Sequence, residues 1–416
     1  MDKFVVNGGN QISGTVDISG AKNAVLPLMT AALLVDGKTT INSVPDLRDT
    51  RTMIRLLEII GANVAFKNNS LSIDASDVNN LEAPYDLVKT MRASFYVLGP
   101  LLARFGEVRV SLPGGCAWGP RPVDFHLKGL EQLGAKISLE SGYILAKAEY
   151  LKGNKISFDF PSVGATGNIL MASVLARGET QIENAAKEPE IVQLCEMLNQ
   201  MGANIIGIGT DKITVNGVDK LHPVDIDVIP DRIEAGTYLI AAALTEGHLK
   251  ISKVKPKIIS TEINILKKIG AKIKLKSNSI FIKGSKKIKR TNIKTAPYPG
   301  FPTDLQAQMM VLLCKGNSKS TIREKIFENR FMHVSELNRM GARIKINGSS
   351  AIIEGNIKFE GAELMATDLR ASVSLILAAL TAKGKSVINR IYHLDRGYEK
   401  IEKKLQAIGV KIKRLS

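Results

Sequence analysis

Hydrophobic and polar positions follow one pattern that recurs six times along the chain. In each copy an amphipathic segment ends in an apolar residue, then Gly-Ala or Gly-Val, and then a strand-like run. The six glycines are 68 to 73 residues apart, a period too long for the common solenoid or propeller repeats. They are Gly61, Gly134, Gly202, Gly270, Gly341 and Gly409. The pattern therefore predicts one supersecondary unit used six times.

A second feature of each copy is a segment that is apolar on every side and ends in glycine. Such a segment predicts a buried helix, and the glycine suits the left-handed position that follows a helix. These closing glycines are Gly37, Gly106, Gly178, Gly247, Gly316 and Gly384. A strand-like run follows each of them, so each copy is predicted to run roughly β-α-β-α-β-β.

Length and repeat number together predict two domains of three repeats each, because 416 residues are too many for one ordinary core. We expect a first domain at 22–229 and a second built from 1–21 and 230–416. The strand Lys3–Val6 is expected to pair with the last repeat and close the second domain. Sheets would lie outside and apolar helices inside, which makes the fold class α/β, with the helix ends of both domains facing one cleft.

Several sequence features indicate the cellular compartment of the protein. The chain lacks a basic start followed by an apolar core, so no signal peptide is expected. Its apolar stretches are too short to span a bilayer. The three cysteines are scattered and do not indicate a disulfide framework. We therefore expect a cytoplasmic protein without membrane association.

The formal net charge of +17 has two possible causes, a polyanionic partner or a lysine-rich solvated surface. Many lysines cluster between Lys250 and Lys294. The run 283–290 lacks the interleaved aromatic residues that stack on bases. A solvated basic face is therefore the preferred interpretation, and no nucleic-acid partner is expected.

Basic residues stand at the predicted starts of four of the six buried helices. Lys22, followed by Asn23, and Arg92 occupy this place in the first two copies, and Arg232 and Arg370 do so in the fourth and sixth. The helix dipole disfavours cations there, so their recurrence points to anions bound at helix N-termini. Salt bridges or surface caps are the alternative for each of them.

The second copy carries Cys116 in a loop rich in glycine and proline, followed by Arg121. Nearby cations and backbone N–H groups activate a thiol by lowering its pKa. A reactive Cys116 is therefore one hypothesis, and an inert loop cysteine is the other. Cys195 and Cys314 lie in apolar helical segments and are expected in the core.

Further charged residues follow the exposed strands or precede the buried helices. Arg330 and Arg396 add cations, and Asp304, Glu328 and Asp368 are the acids among them. One acid could act as a general base, or each could only orient a neighbouring arginine. The five histidines show no metal-ligand spacing, and no phosphate-cradling loop or dinucleotide motif is present. No metal and no cofactor are therefore expected.

The segments around these residues resemble the UDP-N-acetylglucosamine 1-carboxyvinyltransferases, the enolpyruvyl transferases of peptidoglycan synthesis. The resemblance runs from the first strand to the C-terminus. It is carried by SGAKNAVLPLM, KTMRASFYVLGPLL, PGGCAWGPRPVDFHLKGLEQLGA, PSVGATGNILMA, PYPGFPTDLQAQ, ENRFMHVSELNRMGA, ATDLRA and LDRGYEKIE. It implies a two-domain inside-out α/β barrel and a reaction without metal or organic cofactor. In that reaction the 3'-hydroxyl of UDP-N-acetylglucosamine attacks C2 of phosphoenolpyruvate, C3 is protonated, and phosphate leaves.

The resemblance also implies roles for individual residues. Cys116 matches the general acid toward C3 and the site of a covalent adduct, Asp304 matches the base, and Lys22 and Arg396 complete the catalytic set. Residues matching phosphoenolpyruvate contacts are Lys22, Asn23, Arg121, Arg370 and Arg396. Residues matching UDP-N-acetylglucosamine contacts are Arg92, Arg121, Pro122, Val123, Asp124, Phe125, Ser162, Val163, Gly164, Asp304 and Ile326.

Two alternatives remain at this stage. Enolpyruvylshikimate-phosphate synthase has the same fold and co-substrate, but it usually lacks a cysteine in this loop, so the segment Cys116–Phe125 argues against it. A non-catalytic relative that binds RNA or a sugar nucleotide should have lost one of Lys22, Cys116, Asp304 or Arg396, and all four are present. The sequence leaves the oligomeric state open.

Overall fold

The structure is a computed structural model, and it describes residues 2–112, 123–327 and 329–416. The chain divides into two compact units. The first unit is Gly20–Ile229, and the second unit combines Met1–Ser19 with Pro230–Ser416. Each unit has its own hydrophobic core. In the described part of the chain, no helix combines the length and the apolar character needed to cross a bilayer.

The strands are short, as expected for a chain of many turns. In chain order they are β1 (Lys3–Asn7), β2 (Ser13–Asp17), β3 (Lys38–Asn42), β4 (Asn63–Lys67), β5 (Ser70–Asp74), β6 (Glu82–Ala83), β7 (Glu107–Ser111), β8 (Lys136–Glu140), β9 (Tyr143–Lys147), β10 (Lys155–Ser157), β11 (Glu179–Glu183), β12 (Asn204–Ile206), β13 (Lys212–Asn216), β14 (Asp225–Asp227), β15 (His248–Ser252), β16 (Lys272–Lys276), β17 (Ser279–Lys283), β18 (Ile293–Lys294), β19 (Ser320–Arg323), β20 (Ile344–Asn347), β21 (Ser350–Ile353), β22 (Glu363–Met365), β23 (Lys385–Asn389) and β24 (Lys411–Leu415).

The helices alternate with these strands. They are α1 (Lys22–Ala31), α2 (Arg48–Ile60), α3 (Tyr85–Val88), α4 (Leu98–Phe105), α5 (Asp124–Gln132), α6 (Val163–Ser173), α7 (Pro189–Gln200), α8 (Arg232–Leu244), α9 (Ser260–Ile269), α10 (Gln306–Cys314), α11 (His333–Arg339), α12 (Leu369–Thr381) and α13 (Ile401–Ala407). Short 3-10 segments occur at Ala32–Leu34, Arg92–Val97, Pro256–Ile259, Thr303–Leu305 and Ile391–Arg396.

Six four-stranded sheets share one plan among the described residues. In each sheet an edge strand pairs in parallel with the strand that follows a buried helix, and two antiparallel pairings complete the sheet. The orders in the first unit are β14-β3-β5-β4, β6-β7-β9-β8 and β10-β11-β13-β12. The orders in the second unit are β16-β17-β15-β2, β18-β19-β21-β20 and β22-β23-β1-β24.

Strands from distant parts of the chain close each unit. β1 lies between β23 and β24 and is antiparallel to both, so the prediction that the N-terminal strand pairs with the last repeat is confirmed. β2 precedes the first buried helix but pairs with β15 of the fourth repeat. Conversely, β14 precedes the fourth buried helix but pairs with β3 of the first repeat. The first and fourth repeats have thus exchanged their leading strands.

Buried helices form the centre of each unit, as their all-round apolar sequences predict. Every residue of α8 and of α10 is buried, and α12 is buried from Arg370 to Leu380. These three helices pack on one another in the second unit. With three sheets surrounding such helices, each unit is an inside-out α/β barrel, and the predicted α/β fold class is confirmed.

The six glycines that follow the outer helices are left-handed, with φ between 93° and 124°. The same conformation was predicted for the glycines that close the buried helices. The prediction is wrong for two of the closing glycines, Gly247 and Gly316, which are absent from the left-handed region. In the fourth repeat Glu246 takes that conformation, with φ 54°. Gly247 is constrained differently, because a Cβ there would lie 2.5 Å from the carbonyl oxygen of Ile12.

One sheet of the second unit carries much of the excess positive charge. On its outer face exposed lysines surround Phe281, and none of them forms an ion pair with a residue that the structure describes. These lysines are Lys250, Lys272, Lys274, Lys276 and Lys283. Elsewhere some strand lysines are paired, as in Lys147 with Glu107 at 2.9 Å. The expected exposed basic face is therefore confirmed.

Two buried tyrosines of the second unit provide a matched test of its core. The Tyr238 hydroxyl has no hydrogen-bond partner among the described residues, whereas the Tyr398 hydroxyl lies 2.8 Å from Oγ1 of Thr237. Tyr238→Phe removes an unsatisfied polar group, so it should raise the free energy of unfolding by about 1 kcal/mol. Tyr398→Phe removes a hydrogen bond and should lower it by about 1 kcal/mol. Urea unfolding measures both, and equal destabilisation by the two variants would contradict this description.

Candidate active site

The predicted base, Asp304, lies at the start of a buried helix of the second unit. It occupies the 3-10 segment Thr303–Leu305, which leads directly into α10. Its Oδ1 accepts a hydrogen bond from Nη1 of Arg330 at 2.8 Å, and its Oδ2 accepts one from Nη2 of Arg370 at 2.9 Å. The structure thus brings together one acid and two cations that are far apart in sequence.

These two arginines determine the charge state of Asp304. Burial alone would raise its pKa, but the guanidinium groups of Arg370 and Arg330 outweigh burial and hold the pKa well below its usual range. The arginine side chains are 4% and 7% exposed, so solvent screens the attraction only weakly. Asp304 is therefore a carboxylate at neutral pH and remains able to accept a proton.

Arg370 has hydrogen-bonding capacity to spare. It is the second residue of α12, and its backbone N–H donates to the N-cap Asp368 at 2.8 Å. Its side-chain atoms Nε and Nη1 are buried and make no hydrogen bond of good geometry to a described residue, and its Cζ lies 5.6 Å from the centroid of the Tyr398 ring. Unpaired buried donors are costly, so this arginine is poised to bind an anion beside Asp304. Asp368 serves as the N-cap of α12, a role that the sequence analysis did not assign to it.

The segment that carries Arg396 packs against the start of α12, the helix that carries Arg370. It ends the 3-10 segment Ile391–Arg396, which is followed by Gly397. A Cβ at Gly397 would lie 2.6 Å from Cδ2 of Leu369, the first residue of α12. The absence of that Cβ lets the segment carrying Arg396 pack against the start of the helix that carries Arg370.

In the first unit, Lys22 forms a buried ion pair that the sequence analysis missed. Lys22 is the first residue of α1, and its Nζ lies 2.6 Å from Oδ2 of Asp49. The two side chains are 11% and 4% exposed. Asp49 lies in the first turn of α2 and faces the core. A charged residue at an inward position of an amphipathic helix is the sequence feature that could have indicated this ion pair. Asn23 follows Lys22 in the first turn of α1.

Six of the residues predicted to contact a sugar nucleotide, Val123 to Phe125 and Ser162 to Gly164, lie at the starts of α5 and α6, whereas Asp304 and Ile326 belong to the second unit. Ser162 caps α6, accepting the N–H of Ala165 at 3.3 Å, and Val163 begins the helix. Gly164 packs against His126 of α5, since a Cβ there would lie 3.1 Å from the imidazole. Val123, Asp124 and Phe125 therefore lie beside Ser162–Gly164, with the Phe125 ring 5.8 Å from that of Phe158.

A buried network fixes this arrangement. Nδ2 of Asn168 lies 2.9 Å from Nδ1 of His126 and donates to the carbonyl of Phe95, while its Oδ1 accepts the N–H of Gly99 at 2.9 Å. Burial, and to a smaller extent the charge of Arg92, lowers the pKa of His126 to about 3. His126 is therefore neutral and structural, and Arg92 lies close enough to act on it electrostatically.

Some of the predicted residues lie outside the part of the chain that the structure describes. They are Cys116, Arg121, Pro122 and Glu328. The other two cysteines, Cys195 and Cys314, are buried, and burial raises the pKa of each thiol to about 12. Within the described ranges, no group of three or more His, Cys, Asp or Glu side chains could hold a metal ion.

Comparison with known proteins identifies the family. The chain matches the family of EPSP synthase (3-phosphoshikimate 1-carboxyvinyltransferase) over residues 6–405. The UDP-N-acetylglucosamine 1-carboxyvinyltransferase of Pelagibacter ubique (strain HTCC1062) is 60% identical over 417 residues, covering 100% of both chains. The chain belongs to the UDP-N-acetylglucosamine 1-carboxyvinyltransferase family. Proteins of that name from Desulfosudis oleivorans and Geobacter metallireducens are 53% and 54% identical, again over 100% of both chains.

Solved structures agree with this membership. The enolpyruvyl transferase NikO from Streptomyces tendae matches with a TM-score of 0.90 at 26% identity, covering 99% of this chain and 98% of that one. EPSP synthase from Acinetobacter baumannii matches with a TM-score of 0.76 at 21% identity over 100% of both chains, a likeness that shows the fold alone. The predicted class of protein, an enolpyruvyl transferase, is confirmed.

Replacing Asp304 with Asn should reveal the electrostatic role of this carboxylate. Asp304→Asn leaves Arg330 and Arg370 buried without their anion, so we expect a loss of about 3 kcal/mol in the free energy of unfolding at neutral pH. In the wild type, the pKa of Asp304 is lower in the folded chain than in the unfolded chain. The stability that this carboxylate contributes is therefore fully present above about pH 5 and shrinks as the pH falls toward the folded-state pKa. Urea unfolding across this range measures the difference; a pH-independent difference would contradict the account.

Proposed function

We propose that this chain transfers the enolpyruvyl group of phosphoenolpyruvate to the 3'-hydroxyl of UDP-N-acetylglucosamine and releases phosphate. This is the first committed step of peptidoglycan precursor synthesis, and we assign it to the cytoplasm. The names of full-length relatives at up to 60% identity support the proposal. The structural observation that carries it is Arg370, which is buried beside an ionised Asp304 with two donors unpaired.

Both proposed substrates are anions, and the helix starts hold buried cations suited to them. Arg370 and Lys22 each begin a buried helix, where N–H groups and the helix dipole add to the cationic charge. A guanidinium with free Nε and Nη1 offers the planar fork that carboxylates and phosphates accept. We assign phosphoenolpyruvate to Lys22, Asn23, Arg121, Arg370 and Arg396.

The acceptor is assigned to a different set of residues. Phe125 and the start of α6 offer an aromatic side chain and helix N–H groups to a nucleoside diphosphate. The assigned contacts are Arg92, Arg121, Pro122, Val123, Asp124, Phe125, Ser162, Val163, Gly164, Asp304 and Ile326. Several of these residues have small side chains, which leaves the backbone N–H groups at the helix starts accessible to an extended ligand.

The proposed reaction is an addition followed by an elimination. The 3'-oxygen forms a bond to C2 of phosphoenolpyruvate while Asp304 takes the hydroxyl proton and the thiol of Cys116 gives a proton to C3. In the elimination, the Cys116 thiolate takes a proton from C3, which restores the double bond as the C2–oxygen bond to phosphate breaks, and the proton held by Asp304 passes to the leaving phosphate. No external oxidant or reductant is needed, and both protons are accounted for by groups of the chain or by released phosphate.

The lowered pKa of Asp304 constrains its part in the addition. A carboxylate with a low pKa is a weak base toward a free hydroxyl. The hydroxyl becomes strongly acidic once its oxygen bonds to C2, so transfer to Asp304 is favourable late in that step. Before transfer, the fixed carboxylate orients the hydroxyl, and holding two substrates in line is itself a large contribution to rate.

The direct test is phosphate release from phosphoenolpyruvate with two acceptors. We expect release with UDP-N-acetylglucosamine and none with shikimate 3-phosphate. Release only with shikimate 3-phosphate would favour the sister activity. No release with either acceptor, in a chain that is folded by circular dichroism, would favour a non-catalytic relative.

A second prediction concerns the thiols. Because Cys195 and Cys314 are buried with raised pKa values, a thiol reagent at neutral pH should label about one cysteine per folded chain. Cys116→Ser should abolish this labelling, most turnover and inactivation by the epoxide fosfomycin. Cys116→Asp should retain turnover while escaping the epoxide, since a carboxylic acid can donate the proton. Full activity in Cys116→Ser would exclude a general-acid role.

A further inference from the structure

Glu324 is a completely buried acid that the reaction above leaves without a role. It follows β19, in which Ser320 and Ile322 point inward, and it keeps the same inward phase two positions later. A carboxylate in such a position is costly unless hydrogen bonds satisfy it. The position of Glu324 therefore needs a reason other than packing.

Four hydrogen bonds converge on this side chain. Oε1 accepts from Oγ1 of Thr295 at 2.7 Å and from the backbone N–H groups of Ile326 and Phe327 at 2.8 and 3.1 Å. Oε2 accepts from Oγ1 of Thr303 at 2.9 Å. Glu324 thus fixes both the turn after β19 and the residue immediately before Asp304.

The directions of these bonds can be assigned from their other partners. Nη1 of Arg330 donates to Oγ1 of Thr303 at 3.0 Å, and the N–H of Lys325 donates to Oγ1 of Thr295 at 2.8 Å. Each hydroxyl has one proton, which lies toward Glu324 while its oxygen accepts from a nitrogen. Glu324 thus accepts all four hydrogen bonds.

These bonds link Glu324 to the candidate base. Glu324 orients the Thr303 hydroxyl, the oxygen of that hydroxyl receives Arg330, and the same Nη1 of Arg330 reaches Oδ1 of Asp304 at 2.8 Å. Arg330 is 6% exposed, so protein groups rather than solvent hold its guanidinium.

We infer that Glu324 is a positioning residue for the reaction, acting through Thr303 and Arg330 on Asp304. The inference rests on the proposed function. Glu324 keeps Arg330 on Asp304 and so holds down the pKa of the base. Loosening this link removes part of the cationic influence on Asp304, and the pKa of that carboxyl then rises toward its ordinary value.

The test compares Glu324→Gln and Thr303→Val with Thr303→Ser as the conservative control. Glu324→Gln replaces an acceptor with an amide that also donates, and Thr303→Val removes the linking hydroxyl. We expect kcat to fall at least about ten-fold in both. In Thr303→Val, which leaves every charge in place, the acidic limb of the kcat/KM profile should also move to higher pH by about one pH unit. Thr303→Ser keeps the hydroxyl and should retain the wild-type profile.

Non-additivity provides a second criterion. The double variant should be no slower than the slower single variant, because both changes break the same link. A lowered melting temperature with an unchanged pH profile, or additive losses of kcat, would overturn the inference. Thr303→Val keeps the inference testable if Glu324→Gln does not fold.

The two proposals can fail separately. If the wild type releases no phosphate with either acceptor, the proposed function fails. The pKa of Asp304, followed by carbon-13 NMR of labelled aspartate, then decides on the positioning role without substrate. The inference predicts a higher pKa in Thr303→Val than in the wild type and in Thr303→Ser; equal values in all three would overturn it.

Discussion

One carboxylate shared by two buried arginines is the interaction on which the second unit's site depends. Asp304 neutralises part of the charge that Arg330 and Arg370 bring to the starts of α10 and α12. Without it, two nearly unexposed guanidinium groups would face each other across a low-dielectric space, which is strongly unfavourable. With it, these three groups carry one net positive charge, and Nε and Nη1 of Arg370 have no hydrogen-bond partner among the residues that the structure describes. Such an arrangement suits an anion.

The repeated architecture explains how such a site arises. A helix buried on all sides begins at the same place in every repeat, and its first turn has backbone N–H groups that need partners. The repeats satisfy this need in different ways. Asp231 and Asp368 cap α8 and α12, Ser162 caps α6, and α1 has no side-chain cap and places Lys22 there beside Asp49. One scaffold therefore supplies the positions, and the residues at them have diverged to serve different ligands.

Local pattern was sufficient to predict most of the fold. The period of the glycines located all six repeats, and the all-round apolar segments located the buried helices. The basic residues marked three α-helix starts, whereas Arg92 begins a 3-10 segment that leads into α4. In the fourth repeat the left-handed residue was predicted at Gly247, but it is Glu246. Gly247 is glycine for another reason, because the carbonyl of Ile12 leaves no room for a Cβ. Such a contact joins residues far apart in sequence and leaves no local signal.

The same limit applies to the candidate site. Asp304 and Arg370 could be named from their segments, but their pairing across 66 residues depends on how α10 and α12 pack. Asp49 and Glu324 were missed, although each breaks an apolar phase, on an amphipathic helix and on an alternating strand respectively. The sequence can therefore reveal a charged residue at an inward position, but only the structure identifies the partner of that residue.

The most direct test of the central claim is the affinity for phosphoenolpyruvate of wild type and of Arg370→Lys, each combined with Cys116→Ser so that no covalent adduct forms. Lysine keeps the charge but lacks the fork of Nε and Nη1. Isothermal titration calorimetry should show at least about ten-fold weaker binding in Arg370→Lys, a difference of about 1.4 kcal/mol. Equal affinities would show that the unpaired donors of Arg370 do not bind the anion.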